Sequence, residues 1–169
     1  MKHNKHLFAL ILVALYSAAS AQPLIGSQTS FAQHRFCQQY QCRFVESHRS
    51  LNEAGGYWTK EYFYQLSNKA KVSVLRYDDP SHPRQRGNVM GAALDFRGMG
   101  PEAIAVQFAS LTAGRTITAR QLETCFQAAR KASGRKESWV DIEKSTLGGI
   151  GIKCSLEDGW MKRLSVAGT

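Results

Sequence analysis

Histidine is scarce in this chain, carboxylates are outnumbered, and no long apolar run follows the first twenty residues. Each shortage closes off a class of function. Of the five histidines, only His34, His48 and His82 lie beyond the N-terminal stretch. Asp78, Asp79 and His82 come close together in sequence, but a metal site needs a further ligand and a supporting shell that nothing supplies, so a solvated turn accounts for them. Neither a metal nor a cofactor is expected. There is no G-x-S-x-G nucleophile elbow and no C-x-x-C, so the cysteines read as bridges rather than as nucleophiles. No repeat or low-complexity tract is visible.

What is present begins with a leader. Lys2 and Lys5 precede the apolar run Leu7 to Leu15, and the small residues Ala19-Ser20-Ala21 precede Gln22. These are the three parts of a secretory signal peptide, and the run is too short to span a bilayer comfortably. The expected organisation is a signal peptide over residues 1–21, a flexible N-terminal arm over 22–35 and a single α+β domain over 36–169. No transmembrane segment is expected after cleavage, and the location is secreted or periplasmic. The leader takes two of the 22 Lys and Arg and none of the 13 Asp and Glu, so the remainder stays basic. A basic surface attracts anionic polymers, though net charge alone does not select a ligand.

All four cysteines, Cys37, Cys42, Cys125 and Cys154, follow the leader, and an even count in an exported chain favours disulfides. Cys125 falls on the apolar stripe Leu122, Cys125, Phe126 and Ala129, at i, i+3, i+4 and i+7 of a helix. Cys154 alternates with Ile150, Ile152 and Leu156 on one face of a strand. Both point into a helix-sheet interface, so Cys125 pairs with Cys154 and Cys37 is left to pair with Cys42. A continuous helix from Cys37 to His48 would set the latter two about 140° apart around its axis, whereas a turn between them allows the bond.

The fold expectation is α+β: an antiparallel sheet built from a central meander and a C-terminal hairpin, with two consecutive helices packed on one face. The stretch Asn88 to Ala132 organises it. Met90, Ala92, Leu94 and Phe96 share one strand face, and Thr118 with Gln121 makes a capping box that opens the second helix. The first helical segment, with Ile104, Phe108 and Leu111 on one face, also alternates as a strand through Ile104, Val106 and Phe108. Both readings stand at this point. Polar residues 133–144, with the lone Trp139, read as a loop, and Glu157-Asp158-Gly159 reads as the C-terminal hairpin turn.

Gly98-Met99-Gly100-Pro101-Glu102-Ala103 matches G-x-G-x-x-A, but Glu102 would face a pyrophosphate, Pro101 removes a donor, and the surrounding order is a meander, not βαβ. It is a strand end followed by a helix start. Asp95, Glu61 and Glu46 supply carboxylates for glycosidic chemistry, yet nothing selects them. The aromatic run Tyr57 to Tyr64 is richer: alternation sends Trp58, Tyr62 and Tyr64 to one face and Tyr57 and Phe63 to the other. With basic residues nearby, exposed aromatics form a stacking platform for sugar rings or bases. Arg84 and Arg86, in the loop Asp78 to Gly87, and Arg97 add charge near the same sheet. The candidate binding residues are therefore Arg84, Arg86, Arg97, Trp58, Tyr62 and Tyr64. The leading reading is a non-catalytic, exported binding or envelope-associated protein, its partner an anionic polymer, an envelope component or another protein. An exported hydrolase with dispersed carboxylates and a secreted inhibitor or accessory protein are the alternatives.

Overall fold

A computed structural model describes residues 23–97, 103–131, 138–141, 149–157 and 161–168. The leader, the glycine-rich junction at 98–102 and the hairpin turn at 158–160 lie outside the described residues. A seven-stranded antiparallel sheet runs in the order β1-β2-β3-β4-β7-β6-β5. Its strands are β1 (Arg43–Asn52), β2 (Tyr57–Gln65), β3 (Lys71–Tyr77), β4 (Val89–Arg97), β5 (Ser138–Asp141), β6 (Ile150–Glu157) and β7 (Met161–Gly168). The first four form the expected meander, and β6 and β7 form the C-terminal hairpin, with β7 laid against β4.

Helices α1 (Arg35–Gln39), α2 (Ala103–Ala113) and α3 (Ala119–Lys131) complete the domain. Residues 103–111 are helix, not strand, because the buried positions Ile104, Ala105, Phe108, Ala109 and Thr112 recur with helical spacing. Thr118 and Gln121 form the expected capping box: the Thr118 N–H donates to Gln121 Oε1 at 2.8 Å, and the Gln121 N–H donates to Thr118 Oγ1 at 3.3 Å. Below it, Leu122, Cys125, Phe126 and Ala129 are all buried.

One continuous core joins these layers. On the helix-side face of the sheet, Val72, Val74, Leu94, Ile152, Leu164 and Val166 are each at most 1% exposed, under Phe108 of α2 and Leu122 of α3. Lys162 lies on the same face, its Nζ 5.8 Å from the Phe96 ring and 5.6 Å from the Phe126 ring. Cys125 and Cys154 are bonded across the interface, both fully buried. A bridge between residues 29 apart is worth about 3.6 kcal/mol if it acts by restricting the unfolded chain.

Cys37 and Cys42, expected to bond to each other, are both free thiols, and two regions of the backbone also depart from the sequence expectations. Residues 23–35 do not form a free arm. Leu24 and Phe31 are at most 1% exposed, the Ile25 N–H reaches Thr112 O, and Gly26 and Ser27 exchange backbone hydrogen bonds with Val89. Arg76 clasps the same segment, donating from Nη1 to Gln28 O at 3.3 Å and to Gly87 O at 2.6 Å, and from Nη2 to Thr29 O. Gly114 ends α2 at φ +69°, and a Cβ there would come within 2.6 Å of Pro23 Cβ, so only glycine lets the N-terminal segment lie this close. Burial of two large side chains and satisfaction of their neighbouring backbone groups outweigh the polar composition. Likewise, Ser138–Asp141 is not loop but an edge strand paired to β6, with Trp139 opposite Lys153.

Candidate functional site

The helices cover β4, β7 and β6, while the N-terminal segment crosses β3, from its hydrogen bonds with Val89 and Arg76 to Phe31 packed on Tyr64. What remains open on the β1–β2–β3 half is set by strand parity. Pairing of Leu51 with Trp58, Arg49 with Lys60, and Ser47 with Tyr62 places these six side chains on the helix-side face. There Leu51 is 46% exposed and Trp58 37%. Tyr64, on the same face, is buried, its ring 5.0 Å from Phe31 and edge-on to Phe44 at 5.9 Å. Tyr64 is therefore core and Tyr62 is half-buried, so of the three aromatic candidates on β2 Trp58 is the most open to a ligand, with Phe44 of β1 exposed on the same face beside Tyr64.

Cations interleave with these rings. The Arg49 guanidinium lies 4.5 Å over Trp58, and Lys60 Nζ lies 5.2 Å from the Tyr62 ring with Arg76 Cζ at 5.9 Å. Asp78 ties the strand to the following loop: it accepts from Arg49 Nε at 2.8 Å and from Arg86 Nε at 3.1 Å. Arg49 also donates to the Asp78 carbonyl at 3.3 Å. Arg84, exposed in the same loop, has no hydrogen-bond or ion-pair partner among the described residues. Arg49 and Arg86 thus share Asp78, and Lys60, Arg76 and Arg84 bring the cations of β1–β3 and the loop to five against Asp78 and Asp79. The local balance is positive.

The loop is folded tightly enough to present that charge in a fixed place. The Gly87 N–H donates to Tyr77 O at 2.7 Å and the Tyr77 N–H to Asn88 O at 2.9 Å, closing its neck. Within it, Asp79 Oδ1 accepts from the Ser81 N–H at 2.9 Å and from the Ser81 hydroxyl at 2.6 Å, an Asx turn. Those two donors hold the Asp79 carboxyl below its usual range. His82 Nδ1 sits 2.9 Å from Ser81 Oγ and 3.1 Å from the Tyr77 hydroxyl. Although a serine, a histidine and an aspartate meet here, Ser81 gives its proton to Asp79, so the cluster is a turn brace and not a nucleophilic relay. Among the described residues, no group of three His, Cys, Asp or Glu side chains could hold a metal.

Arg97 belongs elsewhere. It follows Asp95 on the opposite face of β4, at the end of the sheet remote from the 78–87 loop, because β4 pairs Asp95 with Lys71 at the start of β3. The six residue steps from Lys71 to Tyr77 put these ends roughly 20 Å apart. A cavity of about 660 Å³ opens at this far end, lined by Lys69, Lys71, Asp95, Phe96, Arg97 and Met161. Sequence parity separated Trp58 from Phe63 correctly but not Arg97 from Trp58, since that needs the register across three strands.

The carboxylates Glu46, Glu61 and Asp95 do share the other sheet face, as their pairings show, but Asp95 stands apart from the other two. Asp95 is bound by Arg163 at 3.3 Å and stands two strands from Glu61, while Glu46 lies 3.4 Å from His48. Two strand spacings alone exceed the 5–5.5 Å separation of a retaining pair. Arg49 and Leu51 were the residues missed by sequence reasoning. The turn Asn52–Gly56 was the available signal, because a hairpin closed by Asn52 and Tyr57 fixes which β1 residue faces each β2 residue.

Comparison with protein families, with curated proteins and with solved structures yields no match for this chain.

Proposed function

We propose that this is an exported, non-catalytic binding protein whose ligand is an anionic polysaccharide, held on the open helix-side face of β1 and β2 and by the 78–87 loop. The observation that carries the reading is a part-exposed tryptophan under a cation and beside others: Arg49 lies over Trp58 and shares Asp78 with Arg86, Lys60 lies over the neighbouring Tyr62, and Arg84 is exposed in the same loop as Arg86. Cations attract sulfate or carboxylate groups, and the open part of an aromatic ring packs on the apolar face of a sugar. Two features support export. The N-terminal residues have signal-peptide form, and a fully buried Cys125–Cys154 bridge suits an oxidising compartment. Outside the cytoplasm, glycans are a more accessible polyanion than nucleic acid.

Chromatography on a sulfated glycan tests this. Wild type should be retained and should elute with added salt, and Arg84→Ala combined with Arg49→Ala should lower affinity roughly tenfold, about 1.4 kcal/mol. Arg97→Ala combined with Lys71→Ala, at the far end, serves as the charge-matched control and should change it little. Equal loss in both variants would make the retention a matter of net charge and end the proposal. Tighter retention of single-stranded oligonucleotide than of glycan would reassign the face to nucleic acid.

A further inference from the structure

The end of α1 brings together the two cysteines that the Cys125–Cys154 bridge leaves over. The helix stops at Gln39, with Tyr40 as its cap, and Gln41 takes φ +49°. The Cys42 N–H then donates to Cys37 O at 3.0 Å and the Gln41 N–H to Gln38 O at 3.4 Å. These are the two hydrogen bonds of a Schellman motif, in which the side chains at the Cys37 and Cys42 positions meet across the turn. The motif most often places glycine where Gln41 stands, so this helix end closes without glycine's help. Cys37 is buried at 2% exposure against the core, Cys42 is half-buried, and both are thiols, with Cys42 donating a hydrogen bond to the Cys37 sulfur. That bond holds the Cys37 thiol below its usual range and pushes the Cys42 thiol up, so their environments are unequal.

We propose that Cys37 and Cys42 form a reversible thiol–disulfide exchange site that reacts, in the folded protein, with low-molecular-weight or protein disulfides. Cys42, the more exposed of the two, reacts first. The Cys37 thiol, the more acidic of the two, releases a proton to solvent and takes up the Cys42 proton along their hydrogen bond, and the Cys42 thiolate attacks one sulfur of the incoming disulfide, breaking that S–S bond and expelling a thiolate. The Cys37 thiolate then attacks Cys42 Sγ, forming the internal bridge and expelling the second thiolate. The two protein thiols give up two electrons and two protons, and the external disulfide becomes two thiols. Reduction runs the same steps backwards from the Cys42 side. Cys125 and Cys154, fully buried beneath α3, offer no such approach without unfolding. The chain therefore carries one inert bridge and one exchangeable pair.

The test uses the folded, full-length chain in glutathione buffers of graded oxidation, quenched by alkylation and read by mass spectrometry of tryptic peptides. Cleavage after Arg35 and Arg43 leaves both cysteines in one peptide, Phe36–Arg43. The expected result is loss of two hydrogens from that peptide under oxidising native conditions and their return under reducing ones. Cys125 and Cys154 should stay bonded until denaturant is added. Cys37→Ser should trap glutathione on Cys42, whereas Cys42→Ser should leave the buried Cys37 unmodified. Two persistent thiols at the most oxidising buffer, or a Phe36–Arg43 bridge that yields only when Cys125–Cys154 does, would overturn the proposal. Because both readouts precede denaturation in the unmutated chain, a variant that fails to fold leaves the result intact.

Discussion

The two halves of the sheet are built from similar strands but covered differently. β4, β7 and β6 lie under α2 and α3 and are fastened by a buried disulfide, whereas β1 and β2 keep Leu51 and Trp58 in partial contact with water. The covered half excludes water and fixes the fold. On the open half the cations Arg49 and Lys60 lie over the rings of Trp58 and Tyr62. What separates the two surfaces is therefore which strands α2 and α3 pack on: β4, β7, β6 and β5, but not β1 or β2.

The contrast can be broken most directly by truncating one side chain in each half. Phe108→Ala, at 0% exposure, should lower unfolding stability by about 3–5 kcal/mol, and Leu51→Ala, on the open face, by roughly 0.5 kcal/mol or less. Denaturant midpoints at constant slope would check both, and equal losses would mean that the β1 face is covered in solution.

Gly114→Ala should have an intermediate effect. It forces a Cβ both into the left-handed region and against Pro23, at a cost of about 1–2 kcal/mol. Limited proteolysis should then cut more readily between residues 23 and 33 than elsewhere. That outcome would show that the N-terminal segment is held to the domain through α2.

The sequence made α3, β4 and the Cys125–Cys154 pairing legible because each has a strong local signature: a capping box, a two-residue alternation and a shared apolar stripe. The N-terminal segment was hidden because its anchors, Leu24 and Phe31, stand seven residues apart in polar surroundings with no period. β1 was visible only at its start, since most of its side chains face water and so leave no alternation to read. The candidate site was half legible. Trp58, Arg84 and Arg86 were identified, while Arg49 needed the β1–β2 register and Tyr64 and Arg97 were misplaced for want of it.

The smallest effect concerns acid. His34 Nδ1 accepts from the Phe36 N–H at 3.4 Å as the N-cap of α1, and burial lowers its pKa from 6.5. Above pH 6.5 the imidazole is neutral in both folded and unfolded chains, so the fold keeps its full stability. As pH falls below 6.5 the unfolded chain takes up the proton first, and stability declines. His34→Asn preserves a capping oxygen without a titrating group, so it should flatten this decline in thermal scans between pH 7 and 5. An unchanged slope would assign the acid response to other groups.

The division between a covered folding half and an open binding half is tested most directly by amide hydrogen exchange with and without a sulfated oligosaccharide. Free protein should exchange slowest in β4, β7 and β6, and the ligand should add protection in residues 47–62 and 78–87. Protection confined to the other end of the sheet, around Lys69, Lys71 and Arg97, or none anywhere, would contradict the assignment.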